Sequence, residues 1–129
     1  MSTNQVAICL VMNNTGHDLT LRDVSLSWGN WQQHPIQTIP KQSNQLAFIG
    51  QGKPWVASGT QGAVKYAIQN PATKMPEPDT VTLCFDDPWR GSNSTNGTMS
   101  NSPKLIVAAS VPPSGSAVTF TYIITSPGS

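Results

Sequence analysis

The stretch Gln5-Val6-Ala7-Ile8-Cys9-Leu10-Val11-Met12, running through Asn13-Asn14-Thr15-Gly16 into Leu19-Thr20-Leu21-Arg22-Asp23-Val24-Ser25-Leu26-Ser27, decides the fold class. Side chains of an extended chain alternate between faces. Val6, Ile8, Leu10 and Met12 therefore share one face, and Ala7, Cys9 and Val11 the other. A strand that is apolar on both faces belongs in the middle of a buried sheet, and Val6, Ile8 and Leu10 are expected in the core. Asn and Gly accept positive φ at low cost, so residues 13–16 read as a tight turn and the two flanking runs as a hairpin.

The same period of two recurs outward from this stretch. Further strands are expected at Leu46–Ile49, Gly62–Ile68, Thr80–Phe85, Leu105–Ala109 and Ala117–Thr125. In the last, Val118, Phe120, Tyr122 and Ile124 line one face. Val118, Phe120 and Tyr122, with Leu83 and Phe85, complete the expected core. No stretch keeps helical periodicity beyond two turns. Asn70–Asp79, with Pro71, Pro76 and Pro78, reads as a rigid loop, and Arg90–Pro103 as a long exposed one. An exposed edge such as Ala117–Thr125 could pair with another chain. The expected architecture is all-β: one antiparallel β-sandwich domain over residues 1–129.

Composition agrees. Among 129 residues, 14 Ser, 13 Thr, 9 Asn and 9 Gln supply the polarity, while Lys and Arg number 7 and Asp and Glu 6. A net charge of +1 excludes a disordered polyelectrolyte and argues against nucleic acid as a partner, because phosphate neutralisation needs a basic face. Cys9 and Cys84 make no disulfide framework and, with only His17 and His34, no zinc spacing. Both cysteines are expected to be free. Residues 1–5 carry no charged leader and the apolar run ends at Met12, so the sequence reads as a protein made in the cytosol without a signal peptide. It would then be released or delivered to its target by another route.

Catalytic patterns are missing. Asp86 and Asp87 are adjacent and point to opposite faces of a strand. No phosphate loop, nucleophile elbow or metalloprotease motif occurs. No enzyme activity, cofactor or metal is expected. The tryptophans are more informative. Trp28, Trp31, Trp55 and Trp89 all fall at strand ends or in loops, each with Gly, Pro or Asn close by. An indole is apolar over its body with one N–H at its edge, which suits a membrane interface or a sugar face. The alternative for each is a plug that closes the end of the sandwich. Arg90, beside Trp89, is the natural phosphate contact, and Ser92 and Asn93 could select a headgroup.

These residues also resemble a known family. Asn13-Asn14-Thr15-Gly16-His17-Asp18-Leu19-Thr20-Leu21 is similar to the first hairpin of the aegerolysins, and Ser27-Trp28-Gly29 to their Ser-Trp-Gly. Ser58-Gly59-Thr60-Gln61-Gly62 resembles their Gly-Thr-x-Gly turn. Phe85-Asp86-Asp87-Pro88-Trp89-Arg90-Gly91-Ser92-Asn93 resembles their Asp-x-Pro-Trp/Phe-x-Gly-Ser-Asn segment. The order holds from about Val6 to Ile124, most of all with short bacterial members that form the smaller half of two-component insecticidal toxins. The resemblance implies an actinoporin-like sandwich that binds membrane lipids, often sphingolipids, and recruits a larger pore-forming protein. It implies lipid-facing roles for Trp28 and Trp89 and the same loop for Asp87, with Trp31 and Trp55 the next candidates. Fungal sphingolipid binders of the family carry Glu just before the Gly-Thr-x-Gly turn, where this chain has Ser58. The resemblance therefore leaves the lipid headgroup open. The displayed tryptophans and Asn-rich loops would also suit a sugar-binding lectin on a similar sandwich.

Overall fold

Among the described residues, alternating side chains and frequent turn residues yield ten strands: β1 (Val6–Asn14), β2 (Leu19–Trp28), β3 (Asn30–Gln33), β4 (Thr38–Ile39), β5 (Ser43–Gln51), β6 (Thr60–Gln69), β7 (Pro76–Asp87), β8 (Met99–Ser100), β9 (Ile106–Ser110) and β10 (Ala117–Thr125). The computed structural model describes residues 5–53 and 58–127. The strands form two five-stranded sheets, ordered β3-β5-β1-β10-β9 and β4-β2-β6-β7-β8. Pairing is antiparallel throughout except between β1 and β10, which run parallel. The two sheets enclose a core that includes Phe48, Tyr66, Leu83, Phe85, Phe120 and Tyr122. The fold is the expected all-β sandwich.

β1 lies at the centre of its sheet, as its two apolar faces require, but the faces are the reverse of the expectation. Ala7, Cys9 and Val11 are fully buried, whereas Val6, Ile8 and Leu10 are half-buried on the outer side. The register supplies the reason. Cys9 lies between Phe48 of β5 and Phe120 of β10, and those two rings fill the interior so that only small side chains fit on β1. Leu83, Phe85, Val118, Phe120 and Tyr122 are buried as expected.

The expected hairpin is absent. β1 and β2 belong to different sheets, and residues 15–18 form an arch between them. Asn13 is fully buried at the end of β1. Its amide donates toward His17 O (2.9 Å) and across the sandwich toward Ile39 O and Pro40 O (both 3.1 Å). Thr15 Oγ1 donates to Asn13 Oδ1 (2.7 Å). The Asn side chain thus ties the first strand to the second sheet instead of closing a two-stranded ribbon.

Two loop expectations also change. The turn after β6 is confined to residues 70–75, where Asn70 Oδ1 accepts from the backbone of Ala72 and Thr73. Pro76 and Pro78 open β7. They are tolerated because β8 pairs only with Val81 and Thr82, so the missing N–H groups face no neighbour strand. The segment 90–103 holds β8 and a bridge between Asp86 and Ser94. Nor is Ala117–Thr125 an edge, since β10 lies between β1 and β9. The true edges, β3, β9, β4 and β8, are two to five residues long, and short edges offer little template for pairing.

Cys9 faces the interior from one sheet. Cys84 lies on the other, beneath Gly97. Both are free thiols. Burial pushes each thiol above its ordinary pKa, away from the reactive thiolate.

Candidate functional site

One end of the sandwich gathers most of the sequence-predicted site residues. There β2 ends at Trp28, β6 begins at Thr60, and β7 ends at Asp87. Trp28 is the register partner of Gln61, and Thr60 of Asp87. Three adjacent strands therefore bring these positions within about 10 Å, two strand spacings. Thr60 Oγ1 donates to Trp28 O (3.2 Å). Gly29 turns the chain out of β2 at φ +96°, a left-handed conformation that favours glycine. Gly59 has its own reason: a Cβ there would stand 2.6 Å from Asp87 O and 2.7 Å from Trp89 N. The Gly-Thr-x-Gly turn thus packs directly on the loop that carries Trp89.

Gln5 ties this end together. Its Nε2 donates toward Asp87 Oδ1 (2.9 Å), Gly115 O (3.1 Å) and Pro88 O (3.2 Å), and its backbone O accepts from Gly52 N (2.8 Å). Asn93 pins the neighbouring loop. Its N–H donates to Pro113 O (2.9 Å) and its Nδ2 to Pro112 O (3.0 Å). Ser58 is buried, and its Oγ accepts from Lys53 N (2.7 Å).

The expected residues separate by exposure. Trp28 is 54% exposed, with the Lys53 ammonium 5.5 Å from its ring centroid. Trp89 is half-buried, and Arg90 and Ser92 are exposed. Asp87 and Asn93 are buried and hold the loops in shape. Trp31 points inward and packs against Phe85 (5.7 Å between centroids) and Phe48 (5.9 Å); it closes the core. Trp55 lies outside the described residues.

A groove of about 250 Å³ opens on the outer face of β2, β6 and β7. It is lined by Ser27, Gln61, Ala63, Asp86, Ser94 and Asn96. Lys53, Gln61, Asp86 and Asn96 were not singled out as site residues in the sequence. Gln61 and Asp86 lie within two of the family-like segments, whereas Lys53 and Asn96 lie in neither, and only the register of β6 with β7 brings Gln61 opposite Asp86. Amides, hydroxyls and one carboxylate suit a ligand bearing hydroxyl or ammonium groups. Burial raises the Asp86 carboxyl above its ordinary pKa. Among the described residues, no group of three His, Cys, Asp or Glu side chains is placed to hold a metal ion. No helix there is long and apolar enough to cross a membrane.

Asp87 is the unusual group. Burial pushes its pKa from 3.8 up to about 7; the Gln5 hydrogen bond pulls it down in part, and the Asp86 charge adds to the rise. Its Oδ2 has no hydrogen-bond partner among the described residues. The folded state therefore holds a proton that the unfolded chain releases near pH 4. This contribution to stability is complete below about pH 4 and is lost as pH climbs to about 7. Thermal melts across that window should show the wild type losing several degrees relative to Asp87→Asn, which keeps the neutral shape at every pH. Parallel curves for the two proteins would show that Asp87 does not titrate there.

The class that this geometry defines is an all-β sandwich with an exposed tryptophan at one end and a polar groove on its second sheet. The chain belongs to the aegerolysin family, whose pattern matches residues 3–116. Among solved structures it is similar to one described as the lipid-binding protein Nakanori, with a TM-score of 0.73. The match has 12% identity and covers 93% of this chain and 70% of that one. No curated protein matches the chain in sequence.

Proposed function

We propose that this protein is a membrane-docking module, a binding protein without catalytic activity, whose Trp28 end enters the lipid interface. The observation that carries the reading is the 54% exposed Trp28 at the end of the sandwich where β2 stops and β7 leads into Trp89 and Arg90. Trp89 and Arg90 stand two strands away on the same end. The indoles supply apolar contact, the Arg90 guanidinium takes a phosphate oxygen, and Gln61, Asp86 and Asn96 receive the rest of the headgroup. Net charge is only +1, so attraction to anionic lipid is weak and a zwitterionic or sugar headgroup fits better. A sphingolipid is the favoured class. Membership in the aegerolysins and the likeness to a lipid-binding protein support this reading.

The resemblance to the smaller half of two-component insecticidal toxins adds a second element. The module marks a target membrane, after release from the producing cell, and a larger partner protein makes the pore.

The test is co-sedimentation with vesicles of phosphatidylcholine alone, and with added sphingomyelin, ceramide phosphoethanolamine or glycolipid. Dye release is followed in parallel. Binding at least about tenfold tighter to one sphingolipid mixture, with no dye release by the protein alone, is the expected result. Equal or no binding across the panel would refute the lipid reading. Release of bound protein by free sugar, whatever the bilayer, would favour a lectin. That second reading rests on the hydroxyl- and amide-lined groove.

A further inference from the structure

We propose that the outer face of the sheet β3-β5-β1-β10-β9 is a self-association surface that docks a second copy of this chain. The first observation is charge. None of the five strands contains an Asp, Glu, Lys or Arg, whereas the opposite sheet carries Arg22, Asp23, Lys65, Glu77, Asp79, Asp86 and Asp87. Such a division marks one face as different in kind.

The second observation is what the register places there. Ile8 pairs with Ile49, Leu10 with Leu46, Met12 with Ile123, and Ile123 with Ala108. These outer side chains form an apolar field that is densest on β5 and β1 and reaches β10 and β9 through Ile123 and Ala108. Leu46 is 42% exposed, Ile123 37% and Ile106 51%. Thr119, Thr121, Asn44 and Ser110 interrupt and border the field without adding charge. Contiguous apolar patches of this kind mark interaction sites.

The occupant follows from size and chemistry. Three strands of 9 residues and two of 4 and 5, at about 3.3 Å per residue and about 4.8 Å per strand, give a face of roughly 570 Å². Two such faces bury about 1,100 Å² in total, just above the roughly 1,000 Å² that a specific protein interface must clear. A two-fold contact sets the same patch against itself, and an uncharged patch meets itself without like-charge repulsion or a stranded ion. Sheets stacked face to face interdigitate at about 10 Å. A bilayer fits less well, because the face has none of the Trp, Tyr, Lys or Arg anchors that mark a membrane interface. Those groups stand at the Trp28 end instead. Edge-to-edge pairing is blunted by the two- to five-residue edge strands.

The test is sedimentation equilibrium from low micromolar to near-millimolar protein. Wild type should approach twice the 13.8 kDa chain mass. Ile123→Lys places two like charges across the two-fold contact and should raise the dimer dissociation constant at least about 100-fold. Ser25→Lys, on the outer face of the other sheet, should dimerise like wild type. Circular dichroism checks folding. If Ile123→Lys is unfolded, Ile106→Lys on the short edge strand β9 takes its place. A wild type that is monomeric throughout would overturn the proposal, as would lysine variants that dimerise unchanged. Binding to phosphatidylcholine–sphingomyelin vesicles is measured alongside. A monomeric wild type whose vesicle binding falls on Ile123→Lys would assign the face to the bilayer and sink the proposal too.

Discussion

Phe85→Ala lowers the unfolding free energy by about 3–5 kcal/mol, the range for emptying a large aromatic site in a packed core. The side chain is 1% exposed. Its ring lies 5.7 Å from Trp31, 5.8 Å from Phe48 and 6.2 Å from Phe120, centroid to centroid. It is the one residue of this aromatic group that comes from the second sheet, so its removal loosens the contact between layers. The surroundings cannot collapse into the gap. Gly50 and Gly62 already approach the ring so closely that a Cβ on either would stand 2.8 or 3.0 Å from it. Both glycines lie in paired strands that cannot move inward without breaking their ladders. Domains of this size are stable by about 5–15 kcal/mol in all, so the loss is a large share. The melting temperature should fall by roughly 10–20 °C. Urea denaturation measures the change, and a loss below about 1 kcal/mol would mean that the ring is not a structural centre.

The second large effect concerns binding and should leave stability alone. Trp28→Ala removes an indole that is more than half exposed and holds a cation over its face. Its backbone stays tied through Thr60, so melting should shift by no more than a degree or two. On vesicles the loss should be large. A tryptophan buries about 150–250 Å² in full. Half of that entering the interface, at about 25 cal/mol per Å², is worth roughly 2–3 kcal/mol, or about 30- to 150-fold in affinity. Trp31→Ala is the contrasting variant. Its ring closes the core against Phe48 and Phe85, so it should destabilise the fold. Unchanged vesicle binding by a folded Trp28→Ala protein would place the lipid site elsewhere.

The sequence separates what could be read from what could not. Alternation in Val118-Thr119-Phe120-Thr121-Tyr122 makes the inward face of β10 plain, because one side is large and apolar and the other polar. β1 lacks that contrast. Both its sides are apolar, and the larger set, Ile8 and Leu10, looks like core. Only the rings of Phe48 and Phe120 on the neighbouring strands decide that the smaller set faces inward. Asn-Asn-Thr-Gly reads as a hairpin turn by its backbone preferences. The arch depends on Asn13 reaching Ile39, 26 residues away. Trp28 and Trp31 look equivalent in the sequence, yet one is displayed and the other is packed inside. The groove was invisible for a similar reason, since Gln61, Asp86 and Asn96 meet only through strand pairing and a bridge at Ser94.

The parallel pairing of β1 with β10 has a kinetic consequence. Val6 meets Ala117 and Asn14 meets Thr125, so the middle of one sheet is assembled from the first and last strands. The strands β2, β6 and β7 of the other sheet are complete by residue 87. During synthesis at about 5–20 residues per second, β1 waits roughly 5–20 s for its partner. Throughout that interval one row of its backbone N–H and C=O groups is unmatched, on a strand apolar on both sides. Non-local pairing of this kind also slows the search itself, toward the millisecond-to-second range of all-β domains. The nascent chain is therefore most prone to aggregation at its own first strand, and a chaperone that shields residues 6–14 until translation ends would raise the folded yield more than one acting on any later segment.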